Sequence, residues 1–91
     1  MGLSSWAAFS GSDAQAAIDG DFAMREHEVQ PVLRALRNEG FHVVALHNHM
    51  IGETPGYYFT HFWAKGTVEK LARGFRRALN AQWRALQTRT H

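Results

Sequence analysis

Phe41–Met50 (FHVVALHNHM) and Tyr57–Ala64 (YYFTHFWA) decide how this chain is read. Both runs are rich in β-branched and aromatic residues, the composition of a strand. Between them stand Gly52, Thr54, Pro55 and Gly56, residue types that make turns. Two strands around such a break form an antiparallel hairpin. Residues two apart on a strand share a face. His47 and His49 therefore project together, and a register setting His61 opposite His47 gathers three imidazoles into one patch.

On either side of the hairpin the period changes from strand to helix. Upstream, Val29, Val32, Leu33 and Leu36 follow the i, i+3, i+4, i+7 rule and predict a helix over Glu28–Glu39. Pro31 belongs in a first turn, where a missing N–H costs nothing, so the helix should start close to Glu28. Glu26 and Glu28 then sit favourably against the helix dipole, and Gly40 suits the position just past the C-terminus. Downstream, Thr67 is a good N-cap. Val68, Leu71, Ala72, Phe75, Ala78, Leu79, Gln82 and Leu86 trace the apolar face of a second helix. Trp83 falls at the edge of that stripe, either as core or as an interface anchor. The polar end, 87–91, should fray.

Before the first helix, Trp6–Phe9 and Ala14–Met24 read as two further strands, the second bent or bulged at Asp19-Gly20-Asp21. The order is strand, strand, helix, strand, strand, helix within one domain spanning 1–91. The expected architecture is a two-layer α+β sandwich, a four-stranded antiparallel sheet with both helices on one face.

That arrangement leaves a second sheet face to explain. Phe41, Val43, Ala45, His47 and His49 share one face of their strand, and His42, Val44, Leu46, Asn48 and Met50 the other. Tyr57, Phe59, His61 and Trp63 oppose Tyr58, Thr60 and Phe62 in the same way. Neither side reads as solvated, whereas a sheet covered on one side alternates apolar with polar. A partner or a ligand should occupy the second face.

Composition limits the choices. With 91 residues the chain buries a modest core. Its 45% hydrophobic and 20% charged residues describe a folded domain, not a disordered one. The absence of cysteine excludes disulfides, thiolate metal sites and cysteine catalysis. No apolar run approaches the ~20 residues of a membrane-spanning helix, and no signal-peptide pattern opens the sequence. Net charge is only +2. Arg73, Arg76, Arg77 and Arg84 line one face of the last helix, but no stacking aromatics are interleaved there, which argues against nucleic acid.

Three histidines, two on one strand and one on its neighbour, are the ligand type and number of an open transition-metal site, zinc or copper rather than magnesium or calcium. Glu28 and Glu53 are candidates for a further ligand or a general base, although each also reads as an ordinary solvated acid. The bland alternative for the histidines is half-burial with hydrogen bonds to the backbone. Asp19-Gly20-Asp21 resembles a fragment of a calcium loop whose other ligands are missing, and a bend with two solvated acids explains it better. No nucleophile elbow, P-loop or dinucleotide fingerprint is present, so the spacing does not decide whether a reaction is catalysed.

Gly20-Asp21-Phe22, Glu28-Val29-x-Pro31-Val32, Ala45-Leu46-His47-Asn48-His49-Met50, Glu53-x-Pro55, His61-Phe62-Trp63 and Leu71-Ala72 occur in this order. Together they resemble the LppY/LpqO family of bacterial proteins, DUF1259, from about Trp6 to Leu79. The resemblance implies a longer, exported or lipid-anchored parent with two related halves, of which this chain matches the second. It also implies that His47, His49 and His61 act as one site, while the family's biochemical role is not established. Two positions depart from the family pattern. Gly56 stands where an arginine is common, and Arg25 stands where a threonine or serine is common, which removes a Thr-x-x-Glu capping box. Two expectations follow: a transition-metal-binding domain of extracytoplasmic type, or a non-catalytic interaction module. In the second, the aromatic and histidine-rich sheet face packs on a second copy, as a homodimer, or on a homologous half-domain.

Overall fold

In the computed structural model, residues 5–46 and 58–88 are described. The elements are β1 (Trp6–Gly11), β2 (Ala16–Met24), α1 (Glu26–Asn38), β3 (His42–Leu46), β4 (Tyr58–Gly66) and α2 (Val68–Thr88). The strands form one antiparallel sheet in the order β1-β2-β4-β3. Strands β2 and β4 lie at its centre, and α1 carries the chain over β4 to the far edge. This is the expected ββαββα α+β fold.

Strand parity sorts the two faces. Ile18 and Phe22 of β2 and Phe62 and Ala64 of β4 point inward. There they join Val32 and Leu36 of α1, Leu71 and Ala78 of α2, and Phe41 in one buried cluster. Both helices therefore cover the same face. Phe62 sits at the middle of this core, with ring centroids 5.6 Å from Phe22, 5.8 Å from Phe41 and 5.6 Å from Phe75.

Strand β2 runs through Asp19-Gly20-Asp21 without bend or bulge, paired residue for residue on both sides. The expected break is absent because Gly20 serves close packing instead. It faces inward, opposite Ala7 and Phe62, where any side chain would run into the backbone of β1.

Helix α1 begins two residues before the expected Glu28, so Pro31 lies inside it, past the first turn. The start is fixed by Glu28 itself. Its Oε1 accepts the backbone N–H of Arg25 at 3.2 Å, the half of a capping box that does not need a hydroxyl at Arg25. The other end closes as expected. Gly40 (φ 81°) follows the last turn, with the N–H groups of Gly40 and Phe41 donating to the carbonyls of Arg37 and Leu36. That pattern is a Schellman motif, and it delivers Phe41 into the core beside Leu36.

Thr67 caps α2 as expected, its Oγ1 accepting the Lys70 N–H at 3.1 Å. The buried face of α2 is rotated from the sequence reading. Leu71, Gly74, Ala78 and Ala81 are buried, while Ala72 and Leu79 are exposed. Small residues let α2 approach closely, since a Cβ on Gly74 would fall 2.8 Å from the Phe41 ring. Gln87 and Thr88 still belong to the helix rather than to a frayed end. Among the described residues, no helix is long and apolar enough to cross a membrane.

Glu28 is not the solvated acid expected from the sequence; it is 5% exposed. Gln82 Nε2 donates to its Oε1 at 2.9 Å and to the Ala23 carbonyl at 2.9 Å, so the Gln82 amide ties α2 to the end of β2 and, through this carboxylate, to the start of α1. Glu28→Ala strands the Arg25 N–H and one Gln82 donor and should cost about 1–3 kcal/mol. Glu28→Gln keeps an acceptor and should lose less than half of that, as read from urea midpoints.

Candidate functional site

The outer sheet face carries the chemistry. Cross-strand partners share a face, so the pairs Asp21–His61, His61–Val44, Asp19–Trp63 and Trp63–His42 place these six side chains outward together. Trp6, opposite Asp21, joins them from β1. On this face Trp6 is 47%, Val44 46% and Trp63 39% exposed, and none of the described helices covers them.

His61 is the centre. Its Nδ1 lies 3.1 Å from Asp21 Oδ1, a hydrogen bond, and its Nε2 lies 3.6 Å from Asp19 Oδ1. Its ring stacks on Trp63 with centroids 5.6 Å apart and planes 29° apart. His42 also stacks on this indole, at 5.4 Å and 23°. The imidazole is thus held in orientation by a carboxylate and an aromatic plane, yet about two-fifths of the side chain stays open to solvent.

The register differs from the sequence reading. Across from His61 on β3 stands Val44, not His47. The reason lies in the core. Phe41 enters it directly from the α1 cap, and Val43 pairs with Phe62 on the inner face, which fixes β3 three residues away from the expected alignment. The face of Phe41 and Val43 is the helix-facing one, and His61 lies on the other. His47, His49 and Glu53 fall outside the described residues.

Glu28 is not brought to His61, because the sheet lies between them. Its neighbour is His27, whose Nε2 is 3.6 Å from Glu28 Oε2 and is buried without a hydrogen bond. Among the described residues, no three acidic or histidine side chains converge on a point that an ion could occupy. Of the last-helix arginines, Arg84 lines a shallow cleft between α1 and α2 with Arg34 and Asn38, and Arg77 and Arg84 line the adjoining one. Arg77 there is engaged by Glu39 at 2.9 Å.

Sequence reasoning missed Asp19 and Asp21 as partners of His61. The signal was available, since Asp-x-Asp on a strand sends both carboxylates to one face just as His-x-His does for imidazoles.

The family described as Domain of Unknown Function (DUF1259) matches residues 1–81. No curated protein and no solved structure matches.

Proposed function

This chain belongs to the DUF1259 family, and on that premise we propose that it is a divalent transition-metal-binding domain, for zinc or copper, anchored by His61. What supports the reading is the hydrogen bond from His61 Nδ1 to Asp21. Metal-ligating histidines characteristically give their other ring N–H to a carboxylate, which fixes the tautomer and leaves the second nitrogen as a lone-pair donor. Asp21 holds His61 in that state, with Nε2 directed along the open face. His47 and His49 are the further ligands of this proposal.

Zinc and copper titrations of the purified protein test it. His61→Ala should weaken binding about tenfold or more, and His47→Ala with His49→Ala should do the same. Equally weak binding by wild type and both variants would end the proposal.

A second reading has its own observation, the uncovered Trp6, Val44 and Trp63. Exposed aromatics clustered on one face mark contact surfaces, so this face is also proposed to pack on a second copy or on a related half-domain. Light scattering across a concentration series checks the homodimer. A strict monomer at high concentration removes it.

A further inference from the structure

We propose that Asp19 is a metal ligand alongside His61, so that β2 and β4 by themselves carry a two-point seat for a divalent transition metal on the outer sheet face. This deepens the metal-binding reading and rests on it, but it draws its residues only from the two central strands.

Three observations carry it. The first is the tautomer. Asp21 Oδ1 can only accept, so the hydrogen at 3.1 Å belongs to His61 Nδ1, and in the neutral ring Nε2 is then an acceptor. That acceptor faces another, Asp19 Oδ1, at 3.6 Å. The two acceptors repel each other unless a cation sits against both, either a proton on Nε2 or a metal ion to one side of the line that joins them.

The second is the width of the gap. It exceeds the ~2.7–3.2 Å of an N–H···O hydrogen bond. Nitrogen and oxygen ligands sit about 2.0–2.2 Å from zinc, so at the tetrahedral angle of roughly 109° they stand about 3.3–3.6 Å apart. The observed separation matches the bite of a metal and is longer than a direct hydrogen bond.

The third is rigidity with access. His61 is fixed by Asp21 and by the Trp63 plane, and Asp19 stands on an unbroken central strand. Their side chains remain 40% and 54% exposed, so an ion can enter and solvent can fill the remaining coordination positions. An imidazole with a carboxylate suits zinc or copper rather than a hard, all-oxygen ion. Asp21 is a positioning residue here, acting through the ring.

The experiment is zinc titration by calorimetry on wild type, Asp19→Asn, Asp21→Asn, the paired His47→Ala and His49→Ala variant, and Asp13→Asn. The last removes one exposed charge away from the seat. Asp19→Asn should weaken zinc binding about tenfold or more while leaving the metal-free melting temperature unchanged. Asp21→Asn should weaken it about 10–100-fold and, in nitrogen-15 spectra of the imidazoles, mix the two tautomers of His61. Asp13→Asn should bind as wild type. Wild-type affinity in Asp19→Asn overturns the proposal. If the paired histidine variant loses zinc in that case, the metal sits elsewhere and only the Asp19 assignment falls. If wild type itself takes up no zinc, the assignment and the reading beneath it fall together.

Discussion

Truncating Phe62 to alanine should lower the stability of the domain by about 3–5 kcal/mol. Phe62 is fully buried and touches three aromatic rings, Phe22 of β2, Phe75 of α2 and Phe41 just before β3. Its removal leaves a cavity whose walls belong to three different elements, and none of them can collapse inward alone. The rings themselves contribute a further ~0.5–1.5 kcal/mol per pair beyond area. A small domain holds only about 5–15 kcal/mol in total, so this one change brings it near the unfolding threshold. Urea denaturation checks it, with the midpoint falling and the slope unchanged. Phe62→Leu, which keeps most of the volume, should retain well over half the stability. A loss below about 1 kcal/mol in Phe62→Ala would mean that the aromatic cluster is not the centre of the core.

The elements of this core were legible because their signals are local. The 3.6-residue period of Val29, Val32, Leu33 and Leu36, the Thr67 cap and the Gly40 stop each depend on a few neighbouring residues. What was not legible depends on partners distant in the chain. Gly20 looked like a strand breaker, because nothing nearby shows that β1 crosses tightly over it. Glu28 looked solvated, since its partner Gln82 lies 54 residues away. Pro31 pulled the expected helix start too late, because the bond from Arg25 to Glu28 outweighs one lost backbone hydrogen bond.

The candidate site divides along the same line. His61 was singled out in the sequence, but its expected partner was set by counting along a hairpin. The register is set instead by Phe41 and Val43 reaching the core, and it brings Val44 and Asp21 to His61. The acids flanking Gly20, read as solvated ends of a bend, become the two carboxylates on either side of the imidazole once the strand runs straight. The residue that straightens the strand is therefore also the one that aligns the site.

Gly20→Ala should accordingly cost the fold about 3 kcal/mol while sparing the outer face. An added methyl would meet the backbone oxygen of Trp6, the Ala7 Cα at 2.9 Å and the Phe62 ring at 2.8 Å. Replacing glycine also restricts the unfolded chain, but that gain is only about 0.4–1 kcal/mol. The nearest obstruction is backbone, so a rotamer change cannot relieve it, and Phe62→Leu in the same chain should recover less than half of the loss. The strand that yields is β1, an edge strand paired only with β2, whereas β2 and β4 hold each other across nine residue pairs. Hydrogen exchange should therefore quicken along Trp6–Gly11 and stay slow in β4. Because Asp19, Asp21 and His61 all stand on β2 and β4, zinc affinity per folded molecule should match wild type. Asp19→Asn should show the opposite pattern, with stability kept and affinity lost. If Gly20→Ala instead loses zinc binding while β4 remains protected, the seat depends on β1, and Trp6 rather than Asp19 becomes the residue to examine.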